Sequence, residues 1–230
     1  MIETSNEIQP AHPAATIVLV RDGEQGLEVL LVQRNKALKH MGGMWVFPGG
    51  RVDEEDRITD GDDLQAALHA AVRETQEEAG LNIRIDQLVT MSHWTTPEGA
   101  RRRYSTWFFL AALSDGQEVT VDGGEISHHQ WFSPQEAFAA IADDDNPFKL
   151  TPPTFISLMD IANYRDSGEA EEALRPREPL IFAPRMVFVD GGICFLYAGD
   201  AGYETVDIDL AGSRHRTYMI DDQLEYVRSS

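Results

Sequence analysis

The stretch Arg73-Glu74-Thr75-Gln76-Glu77-Glu78-Ala79-Gly80-Leu81 sets three carboxylates at i, i+3 and i+4. On a helix this spacing puts them on one face and turns the apolar residues away from it. Like charges so placed repel one another, and near a helix C-terminus they also oppose the macrodipole. Carboxylate oxygens are the natural ligands of Mg²⁺ or Mn²⁺, which keep several waters and complete their shell with substrate phosphates. The spacing therefore points to a divalent-metal site for a phosphorylated ligand. The plainer alternative is a solvated acidic face.

These carboxylates need a helix to carry them. Asp62 or Asp63 can cap one, Leu64, Leu68, Val72, Thr75 and Ala79 recur at helical spacing, and Gly80 ends it. Upstream, residues 14–20 and 27–33 read as two strands around the turn Arg21-Asp22-Gly23, and Phe47-Pro48-Gly49-Gly50 forces an exposed loop. Residues 83–95, 103–113 and 127–132 read as three more strands. Ser133-Pro134-Gln135-Glu136 has capping-box spacing with proline at the first helical position. It predicts a helix over 135–142, and a second begins near Pro152. An acidic, alanine-rich patch at 166–174 predicts another short helix, and 180–227 reads as short strands broken by Gly191-Gly192, Gly199 and Gly202.

Composition narrows the ligand. With 42% hydrophobic and 25% charged residues the chain can bury a core, which excludes fibrous, low-complexity and disordered classes. Its 19 basic and 39 acidic residues give a net charge of -20, a field that repels nucleic-acid backbones and anionic membranes. No nucleic-acid or membrane partner is expected, whereas an anionic small molecule can bind where a divalent metal neutralises local carboxylates. The single cysteine, Cys194, cannot form an intramolecular disulfide and fits a reducing compartment. The apolar run 14–20 is far short of the ~20 residues a spanning helix needs, and Glu3 and Glu7 stand where a signal peptide is basic. A cytoplasmic location is expected.

Taken together, Phe47-Pro48-Gly49-Gly50 and Arg73-Glu74-X-X-Glu77-Glu78-X-Gly80-Leu81 resemble the Nudix box, G-x5-E-x7-R-E-U-x-E-E-x-G-U, where U is bulky and apolar. Thr75 departs from it at the first U. Gly50 and Arg73 are 23 positions apart where the box has 14, an insertion of about nine. The box glutamate then falls on Asp56, with Glu54 and Glu55 as alternatives. The segment from Leu30-Leu31-Val32-Gln33-Arg34 through Gly42-Gly43 resembles the one preceding the box in coenzyme A diphosphatases, with Asn35 and Gly43 departing from it. His93-Trp94-Thr95-Thr96-Pro97, the run from Arg101 to Phe109 and Thr151-Pro152-Pro153-Thr154 are similar to the peroxisomal acyl-coenzyme A diphosphatase branch and its bacterial relatives.

The resemblance implies an α/β fold, the Nudix α/β/α sandwich with a mixed sheet and a small β-rich C-terminal extension. Residues 1–13 would be a flexible lead-in, 14–165 the Nudix domain and 166–230 the extension. It implies an Mg²⁺- or Mn²⁺-dependent diphosphatase for a small nucleotide-containing substrate, with coenzyme A or acyl-coenzyme A cleaved to 3′,5′-ADP and 4′-phosphopantetheine products. ADP-ribose or a nucleotide sugar is the alternative substrate. A non-catalytic nucleotide sensor is the alternative class, and a homodimer is left open. Glu74, Glu77, Glu78 and the Gly50 carbonyl become the expected metal ligands, with Glu74, Glu77 and Glu125 the expected catalytic acids. Arg73 orients the glutamates, and Gly49 and Gly80 are structural.

Candidate substrate contacts come from the residues themselves. Strand alternation would point Arg101 and Arg103 to one side, where they could meet the 3′-phosphate of coenzyme A, or could simply be solvated. Arg34, Lys36 and Lys39 raise the same question. Trp94 could stack on adenine or belong to the core. His93, His128 and His129 read as strand or loop residues.

Overall fold

The computed structural model describes residues 3–5, 7–58, 62–113, 116–121, 123–143 and 145–229. The chain divides into two units. Pro13–Ser92 with Thr106–Leu180 forms the larger, and Met1–His12, His93–Ser105 and Ile181–Ser230 form the smaller.

The first sheet is mixed. β1 (Ala11–Gly23) and β2 (Gly26–Arg34) form an antiparallel hairpin that pairs Val20 with Val29 and Gly23 with Gly26. β3 (Trp45–Val46) pairs with β2, and β4 (Gly49–Arg51) pairs with β1, Thr16 opposite Gly49. β5 (Val89–Thr95), β6 (Arg103–Ala112) and β7 (Ile126–Phe132) follow, β7 pairing with β2. With β8 (Leu180–Phe182), the order is β3-β2-β1-β6-β5-β8.

The helix α1 (Asp63–Ala79) starts where Asp62 accepts the Gln65 N–H and ends at Gly80, whose φ of +69° suits glycine and whose N–H donates to the Gln76 carbonyl. Its buried face is made of small residues, Ala66, Ala67, Ala70, Ala71 and Ala79. All but Ala66 join one core cluster with Ile17, Leu19, Leu30, Val32 and Phe109 of the sheet. Val18, Val20, Val29 and Leu31 are also fully buried but lie outside that cluster, so both faces of the sheet are covered. α2 (Pro134–Ile141), α3 (Pro152–Ile161) and α4 (Ser167–Leu174) begin at Ser133, Thr151 and Asp166, each of which caps its helix through its side chain.

Four expectations change. Arg21-Asp22-Gly23 is not the turn but the end of β1, and Phe47-Pro48-Gly49-Gly50 is not an exposed loop, because Phe47 and Pro48 are buried and Gly49-Gly50 belongs to β4. Residues 83–95 are not one strand, because Ile85–Gln87 form a 3-10 turn and β5 starts only at Val89. The Arg84 N–H is taken by the Gln87 side chain, which withdraws it from any ladder. β1 starts at Ala11, inside the stretch read as a lead-in; Thr4 bridges Ala100, and the Arg101 N–H donates to the Glu3 carbonyl.

In the smaller unit, β9 (Arg185–Val189), β10 (Gly192–Leu196), β11 (Arg214–Ile220) and β12 (Gln223–Ser229) form an antiparallel sheet in the order β12-β11-β10-β9. The turn between β11 and β12 holds Asp221 and Asp222 at φ of 49° and 66°, the positive values a two-residue hairpin turn needs.

Candidate active site

The glycine loop and α1 meet through backbone and carboxylate. β4 lies against β1, and from there the Gly49 N–H donates to Glu78 Oε2 at 2.9 Å. A Cβ placed on Gly50 would overlap the Glu74 carboxylate, so that carboxylate fills the space which a glycine leaves open. Two of the three expected carboxylate ligands, Glu74 and Glu78, are thus held against Gly49-Gly50. Glu77 is more than half exposed, and Arg73 reaches it at 3.1 Å as an i,i+4 pair.

Arg73 ties the site together. Its Nε and Nη2 donate to the two oxygens of Asp56 at 3.1 and 2.8 Å, its Nη1 to Glu74 Oε1 at 3.0 Å, and its Nη2 to the Arg51 carbonyl at 2.9 Å. Asp56 is buried, and its Oδ2 also accepts the Asp53 N–H. Among Glu54, Glu55 and Asp56, it is Asp56 that grips Arg73 with two hydrogen bonds. Glu55 lies 3.9 Å away, near the ion-pair limit. Asp62, not Asp63, caps α1, and residues 59–61 of the insertion lie outside the described residues.

The electrostatics follow from burial. Burial pushes the Glu78 carboxyl up to about 8, aided by the charges of Glu74 and Glu125 and opposed by the Gly49 N–H and Arg34. Burial also raises Glu74, against the pull of Arg73. The Arg73 guanidinium is held protonated even more firmly than usual, first by its bonds to Asp56. Arg34 Nη2 stands 3.4 Å from Glu125 Oε2, and its Nε is buried with no hydrogen-bond partner among the described residues. Glu125 is 64% exposed, so its charge stays largely solvated.

Desolvated carboxylates, set in a cradle which a side chain on Gly50 would fill, are a hard-oxygen donor set that fits Mg²⁺ or Mn²⁺. Among the described residues no three acidic or histidine side chains converge as a finished cage. Arg73 occupies an oxygen each of Glu74 and Glu77, and Gly49 one of Glu78. Each carboxylate has a second oxygen.

For the remaining candidates the structure favours the plainer of the alternatives left open. Trp94 is buried, stacked on Phe182 at 3.8 Å between ring centroids and edge-on to Tyr197, so it is a core residue of the smaller unit rather than a platform for adenine. Arg101 and Arg102 lie in a bend before β6, which removes the alternation that would align Arg101 with Arg103. Arg101 is exposed and 3.3 Å from Glu3, while Arg103 spends its guanidinium on the carbonyls of Thr96 and Gln9 at 3.1 and 2.7 Å. His93, read as a strand residue, lies in β5 and meets Ser105.

Comparison with known proteins gives the family and the fold. A family model described as NUDIX domain matches residues 10–152, and the chain belongs to the Nudix hydrolase family. It is 25% identical over 229 residues to a Caenorhabditis elegans protein provisionally named nudix hydrolase 7, covering 83% of this chain and 74% of that one. It is 31% identical over 122 residues to the acyl-coenzyme A diphosphatase NUDT19 of Homo sapiens, covering 49% of this chain and 31% of that protein. A NUDIX hydrolase from Alicyclobacillus acidocaldarius shares the fold, with a TM-score of 0.67, 21% identity, 75% of this chain covered and 100% of that one.

Proposed function

We propose that the chain is a divalent-metal-dependent diphosphatase acting on a nucleoside diphosphate linked to a second moiety, with coenzyme A or acyl-coenzyme A as substrate. The observation that carries the reaction class is the pair Glu74 and Glu78, desolvated carboxylates pressed against Gly49-Gly50. Support for the substrate comes from the segment preceding the box and from the similarity to the human acyl-coenzyme A diphosphatase over about half of this chain.

In this reading Glu74, Glu77, Glu78 and the Gly50 carbonyl hold Mg²⁺ or Mn²⁺. When bound, the metal supplies charge neutralisation on the phosphoryl oxygens and an acidified water. Arg73, clamped by Asp56, sets where Glu74 and Glu77 stand. Arg34, beside Glu125, offers a cation to a phosphate oxygen. Glu125, exposed and largely solvated, takes the proton of the attacking water at a carboxylate oxygen.

Coenzyme A, acetyl-coenzyme A and ADP-ribose, assayed with Mg²⁺ and Mn²⁺ and analysed by mass, test this. The expected products of the first are 3′,5′-ADP and 4′-phosphopantetheine, with no turnover in excess EDTA. Glu78→Gln lowers kcat by about a hundredfold or more without loss of fold, because burial already favours the uncharged carboxyl. Full rates in EDTA would remove the metal reading. A preference for ADP-ribose would remove the coenzyme A assignment and leave the reaction class.

A further inference from the structure

Among the described residues the Glu78 carboxylate accepts one hydrogen bond, from the Gly49 N–H at 2.9 Å. Glu78 is buried, so where its carboxylate stands depends on where that N–H points. The N–H belongs to the peptide joining Pro48 to Gly49, and in a trans peptide the carbonyl points the opposite way. Whatever grips the Pro48 carbonyl therefore aims the Gly49 N–H.

Two donors grip it, both from β1. The Ile17 N–H donates to the Pro48 carbonyl at 2.9 Å, and the Thr16 hydroxyl donates to it at 2.6 Å. A hydroxyl has one proton to give, and the Phe47 carbonyl, 3.4 Å from Thr16 Oγ1, is the weaker claimant. With both acceptor sites of the Pro48 carbonyl taken, turning this peptide would break two hydrogen bonds besides the one to Glu78. Donation to the carbonyl also polarises the peptide, which strengthens its N–H as a donor.

Thr16 does this from the side of the sheet away from the carboxylates. Ala15 and Ile17 belong to the core cluster that includes the alanines of α1, so alternation along β1 turns Thr16 to the other face. It can act on Glu78 through the peptide but not by contact. Its register partner is Gly49, and a Cβ on Gly49 would overlap Thr16 and the Ala15 carbonyl, so β4 comes this close only as glycine. Valine would fill the same space and suit a strand equally well. What threonine adds is the hydroxyl, which is buried and spent on one carbonyl.

We propose that Thr16 is a positioning residue of the candidate active site, its hydroxyl fixing the Pro48–Gly49 peptide so that the Gly49 N–H holds Glu78 in place for the metal. The proposal rests on the diphosphatase reading for what Glu78 does, and on the hydrogen bonds alone for what Thr16 does.

Hydrogen exchange of the Gly49 amide in the metal-free full chain, followed by NMR, and Mn²⁺ affinity measured by calorimetry test this in wild type, Thr16→Val and Thr16→Ser. Thr16→Val keeps the shape, removes the donor and leaves the Pro48 carbonyl its bond from Ile17, so no buried acceptor is orphaned. It should speed Gly49 exchange about fivefold relative to the amides of α1 and weaken Mn²⁺ binding about fivefold. Thr16→Ser, which keeps the hydroxyl, should stay within about twofold of wild type in both. A Thr16→Val chain with wild-type Gly49 exchange or wild-type Mn²⁺ affinity, or a Thr16→Ser chain that loses as much as Thr16→Val, would overturn the proposal. Both readouts moving as expected in a chain that hydrolyses no nucleoside diphosphate would uphold the role of Thr16 and defeat the diphosphatase reading instead.

Discussion

Asp56 and Arg73, brought together across the inserted stretch, meet through two parallel hydrogen bonds of 2.8 and 3.1 Å, and the Asp56 carboxylate is almost wholly buried. The same guanidinium bonds Glu74 and Glu77, so Asp56 decides how strongly Arg73 leans on the carboxylates. Without Asp56 the guanidinium loses two charge-assisted bonds but keeps Glu74, Glu77 and the Arg51 carbonyl. Asp56→Ala should cost about 1–3 kcal/mol in urea unfolding. It should also raise the Mg²⁺ concentration for half-maximal rate, because an unclamped Arg73 competes for Glu74 and Glu77. An unchanged metal requirement would show that Asp56 serves stability alone.

Thr75 stands in the box where the pattern has a bulky apolar residue, and in α1 it is fully buried with Oγ1 lacking a hydrogen-bond partner among the described residues. An unpaired buried hydroxyl is destabilising, and valine has nearly the same shape. Thr75→Val should therefore raise stability by about 1 kcal/mol with kcat untouched. A loss of stability on thermal melting would mean that the hydroxyl has a partner, such as an ordered water.

The helix with its carboxylates was legible because its signals are local: an aspartate that caps, a glycine that stops, and apolar residues at helical spacing. Asp56 was legible only as the first of three candidate acids, because an insertion leaves the register of the box open, and the 3-10 turn, with Asp53 N–H on Asp56, settles which acid meets Arg73. The strand reading of 83–95 failed for a comparable reason, since it needed the Gln87 side chain to leave the Arg84 N–H alone. Arg101 and Arg103 were aligned by an alternation that holds only within a strand, and β6 begins at Arg103. Trp94 showed an aromatic on a strand, but its choice between ligand and core depends on Phe182 and Tyr197, about ninety and a hundred residues away.

Arg103 carries a prediction of its own. Two carbonyls, those of Thr96 and Gln9, depend on its guanidinium, whereas Arg101 makes one exposed contact with Glu3. Arg103→Ala should destabilise by about 1–3 kcal/mol, and Arg101→Ala by less than about 0.5 kcal/mol. Any activity lost in Arg103→Ala should be lost alike for coenzyme A and 3′-dephospho-coenzyme A. A selective loss for coenzyme A would return Arg103 to the substrate.

The β-rich unit has its own acid-sensitive element. Asp200 and Arg216 are buried together, joined at 2.7 and 2.8 Å, and the carboxylate also accepts the N–H groups of His215 and Gly202. Burial would raise the Asp200 carboxyl, but Arg216 and the two N–H groups outweigh it and hold it down at about 2. A folded-state value below the unfolded one, roughly 3.9, means that the unfolded chain takes up a proton first as pH falls. The contribution, about 2 kcal/mol, is complete well above pH 4 and drains away between about pH 4 and 2. Calorimetric melting from pH 7 down to 2 should show that loss in wild type. Asp200→Asn should be less stable by about 3 kcal/mol at pH 7, with Arg216 left buried and unpaired, and should lose less on acidification. If both proteins fall in parallel below pH 4, the acid sensitivity lies in other carboxylates and not in this pair.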